Sequence, residues 1–162
     1  MPADAPEVQR LAGDARIAAT TTTIPHPYPD GAAEAWIATH PAGFRNRERV
    51  TFAVTLLDGR LAGTVSLIEV SQQHARAELG YWTGVEYWGR GYCTEAVSRL
   101  MQYAFEELGV TRVHARCFAR NVASARVMEK AGLVKEGHLV KHTLKGGVYE
   151  DMLIYGICSA SR

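Results

Sequence analysis

The segment "ELGYWTGVEYWGRGYCTEA", Glu78 to Ala96, decides the fold, because a strand-like run passes through a glycine-rich turn directly into a helix-like run. A strand that leads straight into a helix directs unpaired N–H groups and the positive end of the helix dipole at the turn. Gly89 and Gly91 permit backbone conformations closed to other residues and remove Cβ atoms from the turn, while Arg90 adds charge. The segment therefore predicts a seat for a phosphate or pyrophosphate.

Upstream of this turn, the sequence predicts helices followed by an antiparallel meander. Two strands joined at Asp58-Gly59, a dipeptide typical of tight hairpin turns, lead into a third strand with alternating side chains. Proline-rich sequence predicts a loop between the first two helices, and the Asp30 side chain is expected to cap the second helix. Pro41 and Gly43 are expected to end that helix. The predicted ranges are a helix over Val8–Ala19, the loop Thr20–Pro29, a helix over Ala32–His40, and strands over Val50–Leu57, Leu61–Glu69 and Ala75–Thr83.

Downstream, the hydrophobic period changes to that of an amphipathic helix. Apolar residues recur every three or four positions from Val97 to Leu108, and Gly109 is a plausible C-terminal stop. If this helix crosses over, the next strand, Val113–Cys117, lies parallel to Ala75–Thr83. A short helix from Asn121 to Lys130 and a hairpin of Leu133–Leu144 with Val148–Ile157 follow. The pattern predicts one α/β domain over residues 1–162, with a mixed, mostly antiparallel sheet, a central parallel strand pair and flanking helices.

Composition excludes several classes of function. The 162 residues include 18 Lys plus Arg and 17 Asp plus Glu, a net charge of +1, so no broad basic surface for nucleic acid is expected. No window approaches the roughly 20 apolar residues of a membrane span, and the opening lacks a signal-peptide pattern, so we expect a cytoplasmic protein with no membrane partner. Cys93, Cys117 and Cys158 are odd in number and lack CxxC spacing, which indicates structural or incidental thiols.

A metal site is not predicted from the histidines. His138 and His142 form an HxxxH pair, which on a helix would suggest shared zinc ligation. Their flanks predict a hairpin arm instead, where residues four apart lie about 13 Å from each other. They are therefore not expected to share an ion.

The glycine turn matches no nucleotide motif. A Walker A loop needs Lys and Ser or Thr after its last glycine, whereas Gly91 is followed by Tyr92, Cys93 and Thr94. A dinucleotide fingerprint needs a third glycine where Thr94 stands, and an acidic residue after the next strand. Nucleoside triphosphates and NAD are disfavoured, and the loop alone leaves an ordinary strand-to-helix turn as the alternative.

The sequence resembles the GNAT superfamily of N-acetyltransferases in two segments. The first runs from Ala77 to Leu139 and contains "GRGYCTEA" and "RNVASARVMEKAGL", and the second is "YEDMLIYGI" at Tyr149–Ile157. The similarity is to the Rim-type branch, which acetylates N-terminal amines of ribosomal proteins. The resemblance implies the GNAT fold and acetyl-CoA as the acetyl donor, with no metal. The family's Q/R-x-x-G-x-G/A segment, which wraps the pyrophosphate of coenzyme A, corresponds to Glu86–Gly91 and departs from the pattern at the acidic Glu86.

The resemblance also implies roles for individual residues. Tyr81, Trp82 and Thr83 would pair with the pantetheine arm through main-chain groups, as an added strand does. Asn121 would hydrogen-bond the pantetheine, and Ser124 would lie close to the sulfur. The pyrophosphate would be held by Trp88, Gly89, Arg90, Gly91, Tyr92, Cys93 and Thr94.

Direct transfer of the acetyl group to an amine needs a route for the amine's proton, for which water is an alternative to a side-chain base, and a proton for the leaving thiolate. The candidate bases are Glu78, Glu150 and His142, and Ser124 is the candidate acid. Rim-type enzymes carry a glutamate in the first arm of the closing hairpin where this chain has Thr143, so the identity of the base stays open.

The amine acceptor is expected to be the N-terminal amine of a protein such as a ribosomal protein, with a small-molecule amine or a noncatalytic acyl-CoA-binding module as alternatives. The family implies an acceptor side walled by the loop Thr20–Pro29 and by residues Lys141–Tyr149 of the hairpin. The family's usual strand before the first helix has no counterpart here, which leaves a sheet lacking an edge strand or borrowing one, and a monomer or a homodimer.

Overall fold

A computed structural model of the chain describes residues 1–159. Six helices and six strands occur in the order α1 to α4, β1 to β3, α5, β4, α6, β5 and β6, with 3-10 turns at Pro2–Asp4 and Val85–Tyr87. The helices are α1 Ala5–Ala12, α2 Ala15–Thr20, α3 Ala32–Ala38, α4 His40–Arg45, α5 Tyr92–Glu106 and α6 Val122–Lys130. The strands are β1 Val50–Thr55, β2 Leu61–Ser71, β3 Arg76–Thr83, β4 Arg112–Phe118, β5 Val134–Lys145 and β6 Val148–Cys158.

The strands form one sheet in the order β1-β2-β3-β4-β6-β5. Only β3 and β4 are parallel among the neighbouring pairs of this described sheet, because α5 carries the chain from the end of one strand back to the start of the other. The predicted fold class, a mixed sheet with a central parallel pair and flanking helices, is confirmed.

The parallel pair opens before either strand ends. Pairing runs from Arg76 opposite Arg112 to Leu79 opposite Ala115 and then stops. Both β3 and β4 continue beyond that point, so residues 80–83 of β3 have no partner strand on their β4 side. We call this opening between β3 and β4 the notch.

Helices pack on both faces of the sheet. On one face, Val97, Leu100 and Ala104 of α5 bury their side chains against Leu67 and Val113 of the sheet. Burial of each large aliphatic side chain contributes about 1.5–3 kcal/mol. On the other face, α1 and α3 cover the end of β2 with a second buried cluster, which comprises Ala5, Val8, Leu11, Ala12, Ala33, Ile37, Leu61, Ala62 and Tyr87. The notch thus lies in a sheet that is covered by packed helices on both faces.

The first helical region differs from the prediction. The helix expected over Val8–Ala19 is two helices, because the chain breaks at Gly13 and the Asp14 side chain caps α2 by accepting from the Arg16 N–H at 2.9 Å. The sequence Gly13-Asp14 is itself a typical signal for the end of one helix and the start of the next.

The next two helices also differ from the prediction. Asp30 does not cap α3, since Gly31 holds the N-cap position in the left-handed conformation at φ 76° without a side-chain cap. Neither Pro41 nor Gly43 ends a helix, because both lie within α4, and Pro41 occupies its first turn, where its missing N–H costs no hydrogen bond.

Strand β1 forms an edge of the described sheet and carries no charged residue. A groove of about 880 Å³ runs between this strand and the first half of α5, lined by residues that include Phe52, Val54, Tyr92 and Leu100. The groove lies on the β1 side of the sheet and is separated from the notch by β2 and β3.

Candidate functional site

Unpaired backbone N–H groups line the turn between β3 and α5. The first hydrogen bond of α5 runs from the Glu95 N–H to the Gly91 carbonyl at 3.1 Å, and no side chain caps the helix. Within residues 1–159, none of the N–H groups from Gly89 to Thr94 donates a hydrogen bond to the protein. Six successive donors at the positive end of a 15-residue helix form a concave site for an anion. We call residues 89–94 the cradle.

The two glycines of the cradle adopt conformations that favour glycine and leave open space. Gly89 has φ 75° and Gly91 has φ 85°, and a Cβ atom added to either would meet no atom within 4 Å. The exposed Arg90 lies between them. These residues fit a pyrophosphate, which needs close backbone approach and positive potential.

Glu86 is the acidic residue at which this sequence departs from the family's pyrophosphate-binding segment, and it is engaged in an ion pair. Its carboxylate accepts from Arg10 of α1 at 3.0 Å, on the exposed surface beside the 3-10 turn. The hydrogen bond from Arg10 lowers the pKa of Glu86. The structure thus accounts for the acidic residue as an ion pair that ties α1 to the 3-10 turn preceding the cradle.

The free edge of β3 continues from the cradle into the notch. Trp88 connects the two, since its Nε1 donates to the Thr83 carbonyl at 2.8 Å. Tyr81 projects toward the α5 face of the sheet, whereas Trp82 packs on the opposite face against the cluster of α1 and α3. Residues 80–83 direct their main-chain groups alternately to β2 and to the space where β3 and β4 separate, so every second residue of this stretch can pair with an extended ligand.

The first turn of α6 closes the far side of the notch. Asn121 caps α6 by accepting from the Ser124 N–H at 3.1 Å, and its Nδ2 donates to the Thr20 carbonyl at 3.3 Å. The Tyr81 hydroxyl lies 2.8 Å from Ser124 Oγ. The structure thus brings Tyr81, Asn121 and Ser124 together, and their contacts with a ligand stay predictions.

Two thiols near the notch are shielded from solvent, with Cys117 buried and Cys93 half-buried. Burial raises the pKa of Cys93 to about 12 and that of Cys117 to about 11. Both groups are thiols rather than thiolates at neutral pH, which leaves them unsuited to nucleophilic attack. Their properties agree with the predicted structural role.

Glu78, a candidate base, is engaged in a buried ion pair. Its side chain is 8% exposed and accepts from Arg116 Nε at 2.9 Å and Nη2 at 3.0 Å, with His114 Nε2 at 3.7 Å. Burial acts to raise the pKa of Glu78, but the contacts with His114 and Arg116 outweigh it and the pKa lies below its ordinary value. Because Glu78 and Tyr81 are three residues apart on one strand, their side chains point to opposite faces. These features favour a structural role.

The other two candidate bases lie on the closing hairpin. Glu150 accepts from Arg120 Nε at 2.8 Å and stands directly opposite Thr143 in the register of β5 and β6. His142 is exposed on β5. The position where Rim-type enzymes carry a glutamate therefore has a carboxylate as its cross-strand neighbour, a relation that the sequence analysis missed because it depends on the hairpin register.

Side chains from the connection between β4 and α6 and from the hairpin hold the end of α2 and the loop that follows it. Arg120 Nη2 donates to the Ala19 carbonyl at 2.8 Å, and Lys145 Nζ donates to the Ile24 carbonyl at 3.0 Å. The Arg120 guanidinium also lies 4.8 Å from the centre of the Phe118 ring. The loop and hairpin expected to wall an acceptor are thus in contact, and the clamping role of Arg120 was not predicted.

Residues 1–159 contain no group of three or more His, Cys, Asp or Glu side chains arranged to hold a metal ion. His138 instead pairs with Asp151 through Nε2 and Oδ2 at 2.8 Å. Over the same part of the chain, no helix has the length and apolar character needed to cross a membrane.

Comparison with curated proteins identifies three informative relatives. The chain is 33% identical over 122 residues to "Uncharacterized N-acetyltransferase YoaA" of Bacillus subtilis (strain 168), covering 75% of this chain and 69% of that protein. It is 36% identical to "Putative ribosomal N-acetyltransferase YdaF" of the same organism, covering 63% and 56%. It is 31% identical to the spermidine N(1)-acetyltransferase of Vibrio cholerae serotype O1 (strain ATCC 39315 / El Tor Inaba N16961), covering 66% and 61%.

A solved structure agrees with the fold. The ribosomal L7/L12 alpha-N-protein acetyltransferase RimL, in complex with coenzyme A, superposes with a TM-score of 0.90 at 16% identity, covering 98% of this chain and 90% of that one. The family model described as "Acetyltransferase (GNAT) domain" matches residues 1–134. The fold, the cradle and this match agree, and the chain belongs to the GNAT acetyltransferase family.

Proposed function

We propose that this protein transfers the acetyl group of acetyl-CoA directly to the α-amino group of a protein, as an N-terminal acetyltransferase. The observation that carries the proposal is the run of six unpaired N–H donors from Gly89 to Thr94, continuous with the free edge of β3. The cradle would hold the pyrophosphate, and main-chain groups of Tyr81 to Thr83 would hold the pantetheine arm. That path leads from α5 toward Ser124.

Acetyl-CoA supplies an acetyl group on a thioester, and the residues of the notch would orient the reactants and manage protons. Ser124 Oγ would donate a hydrogen bond to the sulfur as the carbon–sulfur bond breaks. The role suits Ser124 because its N–H is fixed by the Asn121 cap and its hydroxyl is in the notch. The thiols of Cys93 and Cys117 stay protonated, in keeping with transfer that needs no covalent enzyme intermediate.

Glu150 is the base that the contacts favour. A free α-amino group has a pKa of about 8, against about 10.4 for lysine, so a modest base is sufficient to take its proton. Glu150 stands opposite Thr143 on the hairpin expected to wall the acceptor side, whereas Glu78 is sealed in its pair with Arg116. His142 is exposed and remains the weaker candidate.

Charge on the acceptor side favours an N-terminal amine over a polyamine. Lys145 reaches the acceptor loop and Arg120 reaches the adjoining end of α2, while the two carboxylates of β6 are already paired: Glu150 with Arg120, and Asp151 with His138 and the Lys141 N–H. A polyamine carries several positive charges and binds best to unpaired carboxylates. The relative that acetylates spermidine keeps a small-molecule amine as the alternative.

The test is release of free coenzyme A thiol with a panel of acceptors. The panel contains peptides with free and blocked N-termini, a lysine peptide with a blocked N-terminus, spermidine and an amino sugar. Of these acceptors, we expect only the peptide with a free N-terminus to be acetylated. Turnover with spermidine alone would contradict the acceptor assignment, and absence of turnover together with tight acetyl-CoA binding would indicate a noncatalytic acyl-CoA-binding module.

The base assignment is tested with Glu150→Gln, which should lower kcat at least tenfold at neutral pH. Glu136→Gln is the matched control, because Glu136 lies on the other arm of the same hairpin and pairs with Arg112 away from the notch. Equal activity of both variants would contradict the role of Glu150.

A further inference from the structure

The Tyr81 hydroxyl reaches across the notch from β3 to the first turn of α6. It lies 2.8 Å from Ser124 Oγ and 3.1 Å from the Ser124 carbonyl oxygen, although the two residues are 43 positions apart in the chain. The ring of Tyr81 packs against the buried cluster under α5 and α6. The hydroxyl is therefore held by its own strand and core contacts at the group proposed to face the sulfur.

The two hydroxyls hold two hydrogens, and this count allows two arrangements. In the first, Tyr81 donates to the Ser124 carbonyl and Ser124 Oγ donates back to the Tyr81 oxygen, so the serine hydrogen is occupied. In the second, Tyr81 donates to Ser124 Oγ, and the serine hydrogen is free to point elsewhere in the notch. The two arrangements interconvert when the phenol hydrogen turns from the Ser124 carbonyl to Ser124 Oγ and the serine hydrogen turns away from the Tyr81 oxygen, and both acceptors of the phenol are within hydrogen-bond distance.

Tyr81 is suited to remain a donor in both arrangements. Burial raises the pKa of its phenol well above the ordinary value, so the hydroxyl keeps its hydrogen throughout the neutral and mildly alkaline range. The serine backbone is fixed independently by the Asn121 cap. The direction of the serine hydrogen is therefore the remaining freedom, and the Tyr81 hydroxyl is the hydrogen-bond partner placed 2.8 Å from Ser124 Oγ to direct it.

We infer that Tyr81 is a positioning residue that aims the Ser124 hydroxyl at the sulfur of the departing coenzyme. The inference rests on the proposed acetyl transfer. In that reaction the amine nitrogen bonds to the acetyl carbon, the carbon–sulfur electron pair stays on sulfur, and Glu150 takes the amine proton. The resulting thiolate accepts the hydrogen bond of Ser124 and afterwards takes a proton from water, while Tyr81 keeps its own proton and donates to Ser124 Oγ.

The variant Tyr81→Phe removes the hydroxyl and keeps the ring. We expect kcat to fall about tenfold, the effect of losing about 1.4 kcal/mol from the transition state, with less than a twofold change in KM for acetyl-CoA. The matched control is Tyr155→Phe, which removes a buried hydroxyl that donates to Glu129 at 3.0 Å and has no bond to Ser124. Thermal unfolding of both variants establishes that each folds.

A double-mutant cycle distinguishes orientation of the Ser124 hydroxyl by Tyr81 from a role of Tyr81 in packing alone. Tyr81→Phe introduced into Ser124→Ala should change kcat less than twofold, because the hydroxyl then has no Oγ to orient. Full additivity of the two substitutions, or a kcat for Tyr81→Phe equal to that of Tyr155→Phe, would overturn the inference while leaving the proposed function intact. Failure of the unmodified protein to turn over any amine would overturn both.

Discussion

Replacement of Arg116 by alanine provides a quantitative test of the buried ion pair. Glu78 is 8% exposed and receives both Arg116 donors, so the variant leaves a carboxylate in the sheet with only His114 nearby. Removing one partner of a fully buried pair costs about 3–5 kcal/mol. The Arg116 side chain is 40% exposed, and the expected loss is therefore below that range, about 2–3 kcal/mol.

The loss has a predicted dependence on pH. The pKa of Glu78 in the folded protein lies below its ordinary value of 4.5, so the pair stabilises the fold above pH 4.5 and ceases to do so as the pH falls through the folded pKa. Arg116→Ala lacks this contribution. The difference in free energy of unfolding between the two proteins should consequently be largest at neutral pH and narrow on acidification below 4.5.

Urea denaturation at pH 7 and at several acidic values measures this difference directly. The matched control is Arg112→Ala, which breaks the Arg112–Glu136 pair on the same strand, where the side chains are 35% and 38% exposed. That exposed pair should be worth no more than about 1 kcal/mol. Equal losses for the two variants, or a loss for Arg116→Ala that is unchanged at acidic pH, would refute the reasoning.

Three further substitutions have expected outcomes. Glu86→Gln should leave the Kd of acetyl-CoA within about twofold by calorimetry, because the carboxylate is paired with Arg10 of α1; a tenfold tighter Kd would place Glu86 at the ligand. Asn121→Ala should lose about 1 kcal/mol of unfolding free energy through the α6 cap, and no loss in urea denaturation would contradict the capping bond. Gly63→Ala should lose at least about 3 kcal/mol of unfolding free energy, since its Cβ would lie 2.2 Å from a carbonyl oxygen of the neighbouring strand. Gly80→Ala is the control, because the atom nearest to its added Cβ would be 3.9 Å away. Equal stability of the two variants would contradict the strand spacing.

The parts of the fold that local chemistry controls were predictable from the sequence. The alternation before Thr83, the glycines at 89 and 91 and the period from Val97 onward locate the strand, the turn and the helix, and the crossover then requires a parallel pair. Asn121 was identifiable as a cap for the same local reason. These signals involve residues close in the chain, so no tertiary information is needed to read them.

Contacts that depend on register were not predictable. Glu78 meets Arg116 only because β3 and β4 pair in one parallel register, and Glu150 faces Thr143 only because the closing hairpin turns at Gly146 and Gly147, with Lys145 opposite Val148. The contact of Tyr81 with Ser124 likewise requires the notch to open after Leu79. Composition and spacing do not encode these relations, because a one-residue change in register would separate every such pair.

The central claim is that the cradle binds acetyl-CoA through its backbone N–H groups. Calorimetric titration of acetyl-CoA into Gly91→Ala and Gly59→Ala tests it most directly, because both glycines have nearly the same φ, 85° and 86°, and open space around the added Cβ, while only Gly91 lies in the cradle. Losing one charge-assisted N–H bond to phosphate costs about 1.5–3 kcal/mol, so we expect Gly91→Ala to weaken binding at least tenfold and Gly59→Ala to leave it unchanged. Equal affinity of the two variants for acetyl-CoA would contradict the account.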